Sequence, residues 1–340
     1  MGRIIALAVA AVGAAVFVYA GLPLPLLLGP MLACLAAALA GVKMKGMGTL
    51  GIFMRTFLGV AVGSSVSPQV VAQMPSYATT LAFVPVFILV IAACGYPLFR
   101  YAFGMNHPTA YYGSMPGGLQ DMLIFGEEAG GDPRALSLIH ATRVLVIVTI
   151  APLLMQWLWN ADLSAPPGQR ASQIDPVEIG IMIAAGLIGW KVAERIKLFG
   201  ASILGPMILT AALSLSGVIT HRPPAEIIWA AQFFIGISVG VKYVGITGRE
   251  LRHFVTAGAA YSTVLALISV VFIEAISLLH LAPPIDTFLS FLPGGQGEMV
   301  VIAIITGADL AFVVSHHLLR LILVISLAPV MARYFPGQKG

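Results

Sequence analysis

The chain of 340 residues is 59% apolar and 9% charged, with a net charge of +4. So little polar surface cannot cover a soluble globule of this length, and an integral membrane protein is expected. Its two cysteines, Cys34 and Cys94, sit inside apolar runs and support neither a disulfide scaffold nor a metal cluster, and its Lys and Arg residues are too scattered to make a nucleic-acid face.

In chain order, apolar stretches near the roughly 20 residues that cross a bilayer occupy 4–20, 24–40, 50–66, 77–98 and 135–158. A second set follows at 177–192, 201–219, 227–244, 254–279 and 311–330. The first stretch, behind Arg3, could pass for a secretory signal. Its counterpart at 177–192 lies mid-chain, so a span is expected.

The two sets are copies. Residues 115–154 recur 177 positions later at 292–331, and the shared identities include Pro116/Pro293, Gly117/Gly294, Gly118/Gly295, Asp132/Asp309, His140/His317 and Arg143/Arg320. Leu28-Gly29-Pro30-Met31 returns as Leu204-Gly205-Pro206-Met207, 176 positions on, and Gly59 and Gly63 return as Gly236 and Gly240. Repeat 1 is placed at 1–160 and repeat 2 at 175–340. A linker at 161–174, containing Ser164-Ala165-Pro166-Pro167-Gly168, joins them.

The charges choose between two topologies. If 107–131 and 284–308 dip into the membrane and return, each repeat has five spans and the repeats are antiparallel. Arg3, Lys43, Lys45, Arg100, Arg134, Lys191, Arg195, Lys197, Arg249, Arg252, Arg333 and Lys339 are then cytoplasmic, against only Arg170 and Arg222 outside. Full crossing would divide the same residues 8 to 6. The positive-inside bias prefers the first arrangement. The expected fold is an all-α polytopic membrane protein with ten spans in two inverted five-helix repeats. Each repeat carries a Pro-Gly-Gly re-entrant or broken helix, and both termini are cytoplasmic.

Proline removes a backbone donor and glycine lets another group approach the main chain, so helix must stop at Pro116-Gly117-Gly118 and Pro293-Gly294-Gly295. Interrupted backbone at membrane depth is tolerated where protein or a polar cavity surrounds it. Inverted repeats bring two such tips together near the midplane, as many secondary transporters do for solute and ion; a pair of structural kinks is the plainer reading. Gln120 and Asp121, and Gln296 and Glu298, fall in the first turn after each break. There a carboxylate caps the helix, or binds Na⁺ or carries a proton. His140 and Arg143, like His317 and Arg320, are three apart and share a helix face. An arginine fork fits a carboxylate or phosphate, and a neighbouring histidine adds a hydrogen bond. The alternative is an internal ion pair of Arg143 with Asp121 or Asp132, and of Arg320 with Glu298 or Asp309. Asp132 and Asp309 are read as helix N-caps. Soluble-enzyme motifs are missing, so no enzyme is expected.

With the pattern P-G-G-x-x-[DE]-M at 116–122 and again at 293–299, the chain resembles the bacterial AbrB membrane family along nearly its whole length. That resemblance implies a duplicated, multi-pass protein of the bacterial inner membrane. The labels attached to such proteins, "ammonia monooxygenase" and "regulator", do not suit these residues: copper chemistry needs clustered ligands, and the soluble AbrB regulators use a short swapped-hairpin DNA-binding domain.

The expected function is secondary active transport of a small, anionic organic solute by alternating access. Its substrate-binding residues are Pro116, Gly117, Gly118, Gln120, His140, Arg143, Pro293, Gly294, Gly295, Gln296, His317 and Arg320, and Asp121 and Glu298 couple to Na⁺ or H⁺. No other cofactor or metal is expected. The partners are the lipid bilayer, the solute and a second copy in a homodimer. The alternative is a channel or passive facilitator for a small neutral species such as ammonia.

Overall fold

The computed structural model describes residues 1–163, 166–198 and 200–334, with the side chains of Gln69, Gln120, Arg333 and Tyr334 left out. Ser164 and Ala165 of the expected linker, Lys339 and the Gln120 side chain therefore lie outside the described residues.

Among the described residues the regular elements are helical. The principal helices are α1 Gly2–Tyr19, α2 Pro25–Leu39, α3 Thr49–Gly63, α4 Phe83–Ala102, α5 His107–Ser114, α6 Leu119–Glu128 and α7 Pro133–Trp159. They are followed by α8 Pro176–Arg195, α9 Ala201–Leu215, α10 Ala225–Tyr243, α11 Gly248–Leu278, α12 Pro284–Phe291, α13 Gln296–Thr306 and α14 Leu310–Tyr334. Helices α5, α6 and α7 begin at residues 107, 119 and 133; α12, α13 and α14 begin at 284, 296 and 310, in each case 177 later.

Seven helices, α1, α4, α7, α8, α10, α11 and α14, are long and apolar enough to cross a membrane. The other three apolar stretches of the sequence form α2, α3 and α9, of 15 residues each. A helix of that length covers about 22 Å, less than the roughly 30 Å of bilayer hydrocarbon. Glycines in the left-handed conformation follow two of them, Gly41 at φ +83° after α2 and Gly217 at φ +75° after α9. A side chain would resist that turn, so both helices stop there, and after α9 apolar sequence continues where helix does not.

The outer surface of the chain is apolar, unlike that of a soluble protein, and several polar side chains are buried. Ile4, Leu89, Trp157, Leu267 and Val271 are each more than 60% exposed, whereas His140, Arg143, Gln232, Ser269, His317 and Arg320 are buried. Such an arrangement is stable when the surroundings are hydrocarbon.

The described chain divides into two compact units. The first comprises residues 1–75, 148–245 and 296–314; the second comprises 76–147, 246–295 and the chain from Ser315. Each unit draws segments from both sequence repeats.

In the first unit, backbone meets backbone at glycine. A Cβ added to Gly13 of α1 would stand 2.3 Å from the Gly29 carbonyl of α2, and one on Gly205 of α9 would stand 2.1 Å from the Gly189 carbonyl of α8. The same closeness joins the repeats crosswise. Gly59 and Gly63 of α3 lie against the Ile203 and Met207 carbonyls of α9, while Gly236 and Gly240 of α10 lie against those of Leu27 and Met31 of α2. Gly29 and Gly205 thus serve close packing, the role expected of small residues where helices associate without water to exclude. Helix α13 completes this unit against α3, with Leu58 Cδ1 2.9 Å from where a Gly297 Cβ would be.

In the second unit α4 packs on α5 and α11, and α11 on α12. Phe87, Phe272 and Phe291 form a ring cluster with centroids 5.0 to 6.0 Å apart, which fixes the C-terminal end of α12. The ends of the 107–131 segment meet: Asn106 Nδ2 donates to the Gly130 carbonyl at 3.1 Å, and Asp132 N donates to Thr109 Oγ1 at 2.8 Å. The two ends of the segment therefore lie together, with its Pro-Gly-Gly break between the two short helices α5 and α6.

Candidate functional site

Helix α5 ends at Ser114 and α12 at Phe291, each one residue short of its Pro-Gly-Gly break, and each leaves carbonyls that no further helical turn can satisfy. In hydrocarbon an orphan carbonyl costs several kcal/mol, so side chains must serve these groups.

They do so twice in the same way. His140 Nε2 donates to the Tyr112 carbonyl at 3.1 Å, and His317 Nε2 donates to the Leu289 carbonyl at 2.9 Å. Arg143 Nη2 donates to the Gly117 carbonyl at 2.9 Å, and Arg320 Nη2 reaches the Gly294 carbonyl at 3.4 Å. Arg143 Nη1 adds the Met115 carbonyl at 3.3 Å. Each histidine and arginine pair thus projects onto the break of its own repeat. In the first break a Cβ added to Gly117 would stand 2.9 Å from Met122 Cε, and one on Gly118 would stand 2.5 Å from Asp121 Oδ2, so both positions leave no room for a side chain.

Helix α11 supplies two further caps that the sequence reading passed over. The Tyr261 hydroxyl donates to the Ser114 carbonyl, and Ser269 Oγ donates to the Phe291 carbonyl at 2.9 Å. Gly95 of α4 makes room for the first: a Cβ there would lie 2.6 Å from the Tyr261 ring and 2.8 Å from Ser114 Cβ. The only signal in the sequence was a buried-depth hydroxyl in an apolar run, which has no spacing pattern to mark it.

The two guanidinium groups, 2% and 3% exposed, lie within electrostatic reach of each other, and the Tyr261 hydroxyl lies within reach of both. Neighbouring buried cations repel, and a bound anion lowers that cost. Arg320 retains donors for that purpose, since its Nε and Nη1 find no hydrogen-bond partner among the described residues. The arrangement suits a compact anion.

The carboxylates are placed differently. Asp121 stands in the first turn of α6, and its Oδ2 lies 2.5 Å from where a Gly118 Cβ would be, so the carboxylate folds back over the start of that helix. Glu298 and Gln296 lie on α13 in the first unit, where Glu298 is 9% exposed and Gln296 Nε2 has no partner among the described residues. Asp132 and Asp309 cap helices, Asp132 through Oδ1 to the amides of Arg134 at 2.8 Å and Ala135 at 3.1 Å, and Asp309 to that of Phe312 at 3.1 Å. Asp132→Ala should lower stability by about 1 kcal/mol, read as a fall in the thermal midpoint, and leave anion binding unchanged. A change in anion affinity would show that Asp132 does more than cap.

The family description "Transition state regulatory protein AbrB" matches residues 26–336, nearly the full length. The chain belongs to the AbrB family. It is 25% identical over 322 residues to the Escherichia coli K12 protein named "Putative regulator AbrB", covering 94% of this chain and 92% of that one. It is also 25% identical over 306 residues to YhjN of Bacillus subtilis strain 168, covering 83% and 78%. A shorter stretch of 120 residues, 30% of this chain and 25% of the relative, is 31% identical to the Mycobacterium tuberculosis CDC 1551 protein named "Probable multidrug-efflux transporter MT1670". No solved structure matches. With seven helices among the described residues long and apolar enough to cross a bilayer, this AbrB-family chain is a polytopic membrane protein.

Proposed function

We propose that this AbrB-family protein is a secondary active transporter of a small organic anion, with the solute's charge taken by Arg320 and Arg143 at the two Pro-Gly-Gly breaks. The observation that carries this reading is Arg320, buried beside a second cation with Nε and Nη1 unpartnered among the described residues. A buried charge with unused donors is costly unless it has a ligand to meet. The stretch similar to a protein named as an efflux transporter supports transport over catalysis.

Ten spans in two inverted repeats, with both termini cytoplasmic, remain the topology of this proposal. Support comes from helices starting at the same 177-residue offset, from crosswise glycine contacts between repeats in the first unit, and from the joined ends of 107–131. Asp121 and Glu298 carry the coupling Na⁺ or H⁺. The protein works in the bacterial inner membrane, as a homodimer, by alternating access.

Purified protein in liposomes should accumulate small labelled carboxylates or sulfonates against their gradient when a Na⁺ or proton gradient is imposed. Collapsing that gradient with an ionophore should abolish accumulation. Solute that only equilibrates, with or without the ion gradient, would contradict active transport and indicate a facilitator.

A further inference from the structure

The capping bonds of the two histidines decide what else their rings can do. A carbonyl only accepts, so the Nε2 that faces it carries the hydrogen, and a neutral ring then presents Nδ1 as a bare acceptor. Both rings are completely buried, and in both Nδ1 has no partner among the described residues. A buried acceptor left without a donor costs as much as a lost hydrogen bond, and here the cost is incurred at equivalent positions of the two repeats.

These acceptors stand next to the anion site. His317 precedes Arg320 by three residues on α14, which places both on one face, and its ring lies within electrostatic reach of that guanidinium. His140 is related in the same way to Arg143 on α7. One turn of α14 therefore carries both kinds of buried group without a partner among the described residues, cationic donors on Arg320 and a neutral acceptor on His317. A plain carboxylate satisfies the first and leaves the second empty. An anion with a hydroxyl or ammonium on the adjacent carbon satisfies both.

We infer that the solute is a hydroxy- or amino-substituted carboxylate or sulfonate, whose anionic group meets Arg320 and whose own donor is accepted by Nδ1 of His317. This rests on the anion site proposed above and adds a specificity determinant to it. A polar group that must be matched discriminates more sharply than an apolar pocket, because the wrong solute leaves the site's acceptor unpaired.

The test compares paired solutes on purified wild-type protein by calorimetric titration: 2-hydroxypropanoate against propanoate, alanine against propanoate, and 2-hydroxyethanesulfonate against ethanesulfonate. At least one donor-bearing member should bind at least about tenfold more tightly than its partner. The same titrations on His317→Gln separate the two ring nitrogens, since a glutamine amide can still donate to the Leu289 carbonyl but offers nothing at the Nδ1 position. In that variant the members of the pair should bind equally. Equal affinities in the wild type overturn the donor requirement while leaving the anion site standing, as does a preference that survives in His317→Gln. Failure of every probe to bind overturns the anion site and this inference with it. Should His317→Gln not fold, the wild-type comparison decides alone.

Discussion

Gly205→Val should be the most destabilising single exchange in the first unit, costing about 3 kcal/mol or more through overpacking. The new Cβ would stand 2.1 Å from the Gly189 carbonyl and 2.6 Å from Ala193 Cβ, so α8 and α9 would have to separate along their whole contact. Neither obstacle is a side-chain tip that could swing away. Gly29→Val should behave alike, because its Cβ would lie 2.6 Å from the Gly13 carbonyl in the matching contact of α1 and α2. Gly180→Ala is the control: the position is also helical, yet nothing lies within 4 Å of the added carbon, and a gain of up to about 1 kcal/mol is expected. The thermal midpoint and the monodisperse fraction in detergent measure all three. If Gly205→Val melts as Gly180→Ala does, the close helix contacts described here are wrong.

Arg320→Met separates a ligand-binding role from a bracing role. Were Arg320 there only to hold the Gly294 carbonyl, removing it would leave that buried acceptor unsatisfied and cost about 1 to 3 kcal/mol. Only one of its nitrogens is so used, at 3.4 Å, while Nε and Nη1 are buried without partners among the described residues and Arg143 lies close by. Methionine fills similar volume and removes both the desolvation penalty and the repulsion. The stability of Arg320→Met without ligand should therefore stay within about 1 kcal/mol of wild type or exceed it. Affinity for small anions should fall by about a hundredfold or more, since truncating one partner of a buried charged contact costs about 2 to 5 kcal/mol. Lost stability together with retained anion binding would assign Arg320 to the backbone alone.

Much of this was legible in the sequence because membranes penalise the residues involved. Pro116-Gly117-Gly118, His140, Arg143 and their partners at the 177-residue offset are expensive at lipid depth, so their recurrence marks them out from shared leucine and valine. The three-residue spacing of histidine and arginine also placed each pair on one face, and the structure sets each pair on its own break.

Partners were harder to read than positions. Gly59, Gly63, Gly236 and Gly240 stand out as a repeated set, but a glycine shows that something comes close without naming it, and here the neighbour belongs to the other repeat. The compact units escaped for the same reason, since they follow contacts and not sequence order. Tyr261 and Ser269 were missed because one hydroxyl on an apolar helix has no periodicity, and its purpose emerges only when the carbonyls of Ser114 and Phe291 are seen to need a donor. The shortness of α9 was hidden because apolar composition runs on past Gly217, where backbone conformation and not hydrophobicity ends the helix.

The most direct test of the central claim is an experimental structure determined with a saturating concentration of whichever small carboxylate or sulfonate stabilises the wild type most. Density for the anionic group within hydrogen-bonding reach of Arg320 Nε and Nη1 is the expected result. An acidic side chain of the protein already paired to those nitrogens, with the added anion bound elsewhere, would contradict it.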